Sequence, residues 1–578
     1  MIFLGDGEVG KTSLIDKIVF DRFSEQSNPT DGLRMVNWKT HLKSFGGVSF
    51  TYRFLDFGGQ EILHAMHRCF LTKHTVYVVV CESRDDTYID SKAAWWLRTV
   101  KSFAPDCPVI LALNKADQNQ NVSVNELSMR ESNPKLVKVL KTSAKDNKSS
   151  ACGTDKLIEA IETVVPQCMD ISEVGENWRG LERSLEELEK PYITSGEYRA
   201  ICNKNHIIDS GTQRRMLERL RDLGIAYFYE EKDSAIADFR ILNPRWLTDG
   251  MYRLILQTPN EGFIQHKRIK EILTKAPNSS DPLVHKERYT EDETEYILQI
   301  MRKFEISCDI GNGIEMIPMK MDKTPSQEAA IRPSDNFLHL RWNGAYLPDN
   351  LIHRLIVRKF DELDRSTQGT YTVWRSGGRF RSSNGCIALA EIKPEGVLDV
   401  YVSGDSHRGG LNSRRYLHSF RQEIIDILKK LNIQTETKEF ICFTRDVGSD
   451  GVERQSGEIA LHDVLEQLYQ FPDKDVYIPG ILQYLSPWKL LDQYYVEPKK
   501  IFENYQEERG YKYGRQSLNT YDGATAPEDE ESIALFKWML WFVPPLLTIM
   551  GMLILSMMGR QTIMEFILWL SHFFGTAG

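Results

Sequence analysis

Over the first 165 residues, short apolar runs alternate with longer stretches whose apolar positions recur every three or four places. Phe50 to Leu55, Thr75 to Cys81 and Val109 to Leu113 are such runs, each followed by a turn and an amphipathic stretch. Apolar strands joined through helices predict a doubly wound α/β domain with a mostly parallel sheet. A polar, glutamate-rich connector from Pro166 to Lys190 follows and contains the helical Leu181 to Leu188. From Tyr192 to about Ser326 the pattern is mainly helical with short strands. From Phe337 to about Val402 strands alternate around a helical stretch, and Leu411 to Leu431 is helical again. Thr437 to Tyr477 is mixed, and Pro498 to Glu531 reads as a solvated stalk because apolar residues are scarce there.

Near the end the pattern changes again. Trp538 to Met558 holds 21 residues without a charge, which at about 1.5 Å per residue reaches across a hydrocarbon core of roughly 30 Å. Trp538 and Trp541 stand at its entry, with Lys537 before it and Arg560 after it. A transmembrane helix over 537–558 is therefore expected, with a buried core helix as the competing reading. The run Ile563 to Phe574 contains Glu565 and is too short to span, so an interfacial or back-packed tail is expected there.

A chain of 578 residues is too long for one core, and about three or four domains are expected. The net charge of −9 argues against a nucleic-acid partner, because phosphate binding needs a basic surface. Nine cysteines without regular spacing suit reduced thiols rather than a disulfide framework or a zinc site. Met1 to Leu4 is no secretory signal, and it is a short first strand, as though the chain began inside a longer gene.

Chemistry concentrates at the strand ends of the first domain. Gly5-Asp6-Gly7-Glu8-Val9-Gly10-Lys11-Thr12, then Ser13, follows a strand and opens a helix. In that context Gly-x-x-x-x-Gly-Lys-Thr is a phosphate loop. Its glycines let backbone N–H groups turn toward a β-phosphate, Lys11 neutralises the β- and γ-phosphates, and Thr12 is placed to ligate Mg²⁺. Thr30, in the polar loop Pro29 to Gly32, is the candidate switch threonine for the metal and γ-phosphate. Asp56-Phe57-Gly58-Gly59-Gln60 follows a strand. Asp56 is expected at the metal, the Gly59 N–H at the γ-phosphate and Gln60 at the attacking water. Asp-Phe-Gly also occurs in kinases, but the rest of the kinase set is missing from this sequence.

Asn114-Lys115-Ala116-Asp117 ends the next apolar strand. A carboxylate at Asp117 matches guanine N1–H and its 2-amino group, whereas adenine offers neither donor, and the Lys115 stem would cover the base. Thr142-Ser143-Ala144-Lys145 ends another strand and can offer a backbone N–H to guanine O6. Five motifs in this order predict a guanine nucleotide site with GTP, GDP and Mg²⁺ as ligands. His64 and His67 share a helical face and read as solvated, and Trp95-Trp96 reads as helix packing.

Leu55 to Asp117 resembles the Roc domain of the ROCO family, through Asp56 to Glu61, His67 to Leu71, Trp95-Trp96-Leu97 and the Thr30 to Trp38 segment. Tyr192 to Tyr198, Leu217 to Gly224, Ile241 to Leu247, Met301 to Phe304 and Met316 to Pro318 are similar to the first half of a COR domain, including its winged-helix part. Leu347-Pro348, Leu351 to Arg358, Trp374 to Gly377 and Val402 to Gly404 are similar to the second half. The resemblance implies a Ras-like P-loop GTPase domain over 1–166, then an α+β COR domain in halves 167–330 and 331–435. A mixed region 436–497, the stalk 498–536, the helix 537–558 and a tail 559–578 complete the expected order.

It further implies a GTP-hydrolysing switch that dimerises through COR, with no kinase activity to inherit. Since GTP is cytosolic, a single-pass membrane protein with residues 1 to about 535 facing the cytosol is expected. Two alternatives stand beside it: a nucleotide-stabilised scaffold with negligible turnover, and DNA binding through Arg214, Arg215, Arg219 and Arg221. The acidic balance weighs against the second.

Overall fold

The computed structural model describes residues 1–519 except 25–32, 43–47, 59–69, 71–74, 85–87, 147, 149–150, 166–175, 189, 229–238, 276–287, 326–336, 345–346, 349, 394–395, 405–409, 434–436, 446–454 and 479–480. Its first sheet contains β1 (Ile2–Leu4), β2 (Leu33–Leu42), β3 (Val48–Phe57), β4 (Tyr77–Glu82), β5 (Val109–Asn114) and β6 (Leu136–Lys141). The strand order is β2-β3-β1-β4-β5-β6, with β2 antiparallel to β3 and the other pairs parallel. Tyr77 to Cys81 and Val109 to Leu113 are buried on both faces, as helix-covered parallel strands must be. Val78, Val80, Ile110 and Ala112 share one core with Leu14, Ile15, Leu157 and Ile161 of the helices Lys11–Phe20 and Asp155–Val164. Tyr77, Val79 and Leu111 point the other way, toward Trp96, Leu97 and Val100 of the helix Ile89–Phe103. This is the expected Ras-like domain.

The next region is helical, and its helices start where capping chemistry says they should. Thr194 accepts from the Glu197 N–H, and Glu197 accepts from the Thr194 N–H, which opens the helix Ser195–Lys204. Thr290 and Glu293 repeat the device for Glu291–Lys303. Asn243 caps the helix Pro244–Gln257, whose proline occupies the first turn, where no N–H is needed. Two small antiparallel sheets accompany these helices. One pairs β7 (Tyr192–Thr194) with β8 (Phe239–Ile241), and the other orders β9 (Phe263–Gln265), β10 (Cys308–Asp309) and β11 (Ile314–Met316) as β10-β11-β9.

The helix Ser210–Asp222 carries the four arginines considered for DNA. Arg219 lies over Trp178 at 5.2 Å and Arg221 over Phe228 at 5.1 Å. Arg214 stands 3.4 Å from Glu218, and Arg215 donates to Thr212. All four are engaged within their own domain.

One hydrophobic core continues from the first sheet into this region. Leu33, Phe57 and Phe70 join Tyr227, Ile241, Trp246, Leu247 and Met251 in it. The rings of Phe70 and Tyr227 meet edge to face at 5.2 Å.

A larger antiparallel sheet follows. Its strands are β12 (Leu338–Gly344), β13 (Val373–Trp374), β14 (Gly377–Arg381), β15 (Ile387–Lys393), β16 (Val397–Ser403), β17 (Thr437–Arg445) and β18 (Gln455–Ala460). They are ordered β13-β14-β15-β16-β12-β17-β18, so the sheet runs on through 437–460. The helix Leu411–Lys430 packs on one face, where Phe420 meets Phe380 at 5.1 Å.

On the other face the register sets Arg341 opposite Asp399 and His339 opposite Tyr401. Asp399 is fully buried and takes hydrogen bonds from His339 at 2.8 Å, Arg341 at 2.7 Å and Lys393 at 2.7 Å. Burial pushes its carboxyl up, but those three partners outweigh it and hold the group well below the ordinary carboxylate range. Charge also joins the helical region to the large sheet and its helices: Glu305 accepts from Arg354 and Arg358, and Arg358 reaches Glu423 and Asp426.

The chain divides into two compact units, Met1–Lys500 and Ile501–Gly578. Described residues of the second belong to the helix Pro498–Asn519. The membrane expectation is corrected here: no helix among the described residues is long and apolar enough to cross a membrane. Leu411–Lys430 and Pro498–Asn519 reach spanning length, at 20 and 22 residues, but both carry charges along their course. The expectation rested on the composition of 537–558, which lies outside the described residues, and an apolar run alone does not separate a spanning helix from a packed one. The single-pass topology and cytosolic orientation built on it are withdrawn.

Candidate functional site

Parallel strands deliver their carboxyl ends to one edge of the sheet, and the expected motifs follow those ends. β1 runs into the loop at Gly5, whose φ is +147°. A Cβ there would stand 2.2 Å from the Val80 carbonyl oxygen, so only glycine fits against β4. At Gly10 φ is +91°, and a Cβ would stand 2.4 Å from Asn114 Nδ2. The loop is thus pressed between two neighbouring strands, with Gly7 and Glu8 exposed at its tip and Val9 in the core.

Lys11 begins the helix, and its ammonium curls back to donate to the carbonyls of Gly5 at 2.9 Å and Asp6 at 2.7 Å. Burial pulls the group down to about 8, against the opposing pull of Asp56 and Asp6. One residue on, Thr12 Oγ1 donates to Asp56 Oδ2 at 2.7 Å, while Ser13 is half-buried. Asp56 sits on β3 beside Phe3 of β1 and is fully buried. Burial pushes its carboxyl up to about 6, tempered by the Thr12 bond and by Lys11. Its Oδ1 is buried and has no hydrogen-bond partner among the described residues. A carboxylate oxygen left free beside a hydroxyl is a donor set that fits a hard divalent cation such as Mg²⁺.

Asn114 closes β5 and ties the loops together. Its Nδ2 donates to the Val9 carbonyl at 2.8 Å, and its Oδ1 accepts from Thr142 Oγ1 at 3.3 Å. Lys115 takes a left-handed φ of +60° and sets its ammonium 2.9 Å from Glu82. Asp117 is half-buried in the turn that follows. The Ser143 hydroxyl accepts from the N–H groups of Lys145 and Asp146, both at 3.2 Å, which fixes the turn around buried Ala144.

The structure thereby brings Gly5 to Ser13, Asp56, Asn114 to Asp117 and Ser143 to Lys145 to one edge of the sheet. Thr30, Gly59 and Gln60, like His64, His67 and Arg68, lie outside the described residues.

Sequence reasoning passed over two participants. Glu82 ends the apolar β4 directly opposite Asn114 and binds both Lys115 and Arg84. Burial raises its carboxyl, and these two cations outweigh that and hold it below its ordinary value. A charged residue closing an apolar strand was a usable signal. Trp96 donates its indole N–H to Asp6 at 2.9 Å, and nothing in the helical pattern distinguished it from core packing.

Comparison with known proteins agrees with this geometry. Residues 1–117 match the family model "Ras of Complex, Roc, domain of DAPkinase", and residues 175–326 match "C-terminal of Roc, COR-A domain". A Roc-COR-CHAT protease of Runella zeae is 22% identical over 464 residues, covering 76% of this chain and 46% of the relative. The probable serine/threonine-protein kinase pats1 of Dictyostelium discoideum is 23% identical over 488 residues, covering 77% of this chain and 14% of the relative. The chain therefore spans less than half the length of these curated relatives. Among solved structures, Methanosarcina barkeri Roco2 RocCORdC bound to GDP is 30% identical, with a TM-score of 0.47, covering 55% of this chain and 94% of that one. With a Roc match followed in order by a COR-A match, the chain belongs to the Roc-COR (ROCO) family of GTPases.

Proposed function

We propose that this chain is a Mg²⁺-dependent switch that binds and hydrolyses GTP, and whose nucleotide state is passed to its COR half. The observation that carries the reading is the buried group formed by Lys11, Thr12 and Asp56 at the end of the parallel sheet. Lys11 exchanges the carbonyls of Gly5 and Asp6 for phosphate oxygens, offering its charge where β- and γ-phosphates would lie. Thr12, Asp56 and Thr30 would hold Mg²⁺, which supplies positive charge against the phosphates when bound. Backbone N–H groups of the loop cradle the β-phosphate, and Gln60 orients the attacking water. Asp117 accepts from the guanine edge, Lys115 covers the base, and the Ser143 to Lys145 turn faces O6.

Coupling to COR has a direct route, because Phe57, next to Asp56, and Phe70 share a core with Tyr227 and Trp246. Order gained around the nucleotide can thereby shift the packing of the helices behind it. Unassisted turnover in such switches is slow, on the order of 10⁻⁴ to 10⁻² s⁻¹. Dimerisation through COR belongs to the same proposal, and light scattering with GDP and with a GTP analogue tests it. Single-turnover GTP hydrolysis compared with Gln60→Leu tests the chemistry. Loss of turnover in the variant supports the enzyme. Equal and negligible rates overturn it in favour of a nucleotide-stabilised scaffold.

A further inference from the structure

Trp96 was read from the sequence as packing, and 99% of its surface is indeed buried. Its donor nonetheless leaves the core. Nε1 reaches the Asp6 carboxylate at 2.9 Å across 90 positions of sequence, and Lys92, one turn earlier on the same helix, stands 4.0 Å from the other Asp6 oxygen. The backbone carbonyl of the same Asp6 accepts the Lys11 ammonium at 2.7 Å. Asp6 is therefore held by a rigid helix on its side-chain face while its peptide sets the position of the phosphate-binding cation. The loop between Asp6 and Lys11 contains Gly7 and Gly10, and glycines lose more backbone freedom on ordering than other residues do. A tether that fixes the loop beforehand removes part of that loss from the binding step.

We propose that Trp96 is a positioning residue for nucleotide binding: through Asp6 it holds the phosphate loop, and Lys11 with it, in the receptive conformation. The inference rests on the guanine-nucleotide reading above. Ring packing and tethering are separable by substitution. Trp96→Phe keeps a buried ring and deletes the donor. Asp6→Ala deletes the acceptor at a half-exposed position and leaves the core alone. It also removes a negative charge, which lessens repulsion of an anion but withdraws support from the protonated Lys11 ammonium, so a variant that loses the charge alone is the control. Asp6→Asn keeps an oxygen acceptor while losing the same charge.

The test follows release of a fluorescent GDP from the full chain, together with thermal unfolding without nucleotide. Trp96→Phe and Asp6→Ala are each expected to raise the GDP dissociation rate and Kd on the order of tenfold. Their combination is expected to be no worse than either alone, because both remove the same bond. Asp6→Asn is expected to bind at least as tightly as the native chain, and Asp6→Ala to leave the nucleotide-free melting temperature unchanged. Native-like GDP release in both Trp96→Phe and Asp6→Ala, or effects that multiply in the double variant, overturns the proposal. Failure of the native chain itself to bind GDP overturns the site reading as well, which keeps the two failures apart.

Discussion

In the six-stranded sheet, the central β4 and β5 are apolar along nearly their whole length and buried on both faces, so in these two strands polar groups stand only at the carboxyl end. In the seven-stranded sheet, charge lies inside the strands, with Arg341 and Asp399 paired in mid-register under the opposite face from the helices. The parallel arrangement brings the carboxyl ends of its strands to one edge, where several loops can address one ligand. The antiparallel arrangement leaves polar groups in the interior, where they must satisfy one another. The buried carboxylate of the first sheet keeps one oxygen, Asp56 Oδ1, without a partner among the described residues, while the one at Asp399 is committed to three partners within the fold.

That contrast can be broken by exchanging expected outcomes. Asp399→Ala leaves His339, Arg341 and Lys393 without their shared partner, and a loss of about 3 kcal/mol in chemical denaturation is expected, with GDP affinity unchanged. The figure sits at the low end for such a site because Arg341 and Lys393 can rehydrate. Lys11→Ala should do the opposite, costing at least about a hundredfold in GTP affinity by titration with little change in unfolding free energy. Retained micromolar binding would overturn the assignment of the loop.

A third contrast uses pH. Burial holds His339 below its ordinary value of 6.5, with Arg341 and Lys393 adding to it and the Asp399 bond opposing. The unfolded chain therefore takes up a proton that the folded one refuses. Stability is fully present above pH 6.5 and falls as pH drops below it. His339→Gln is expected to flatten the unfolding free energy there, by up to about one proton's worth of slope. An unchanged slope would remove His339 from the cause. The smallest effect concerns the junction: Tyr227→Leu should cost about 1 kcal/mol through loss of the ring contact with Phe70. A GDP-induced thermal shift that remains equal in both domains would then show that the contact is structural rather than communicative.

The legibility of the two sheets differs for the same reason. Each proposed phosphate or base motif is a short continuous segment at a strand end, so Gly5 to Thr12 and Asn114 to Asp117 could be picked out in place. The helix starts at Ser195 and Glu291 were equally local, with Thr and Glu three positions apart. The Asp399 group is assembled by register from residues up to 60 positions apart, and Arg341 extends it to Glu458 across 117. No single segment announces it. Asp6 and Trp96 lie in different motifs, and only packing of helix on loop brings them together. The apolar run at 537–558 shows the reverse hazard, a local signal strong enough to be read without its surroundings.

The core shared by the first sheet and the helices behind it has a practical consequence for anyone dividing this protein. A fragment cut at residue 166 would keep Leu33, Phe57 and Phe70 but lose Tyr227, Ile241, Trp246 and Met251, which now cover that side. Such a fragment would present an adhesive apolar flank to water, and it is expected to precipitate or self-associate on expression even with its nucleotide loop intact. Cloning boundaries beyond residue 319, past Ile306 and Ile317 of the same core, keep that flank covered.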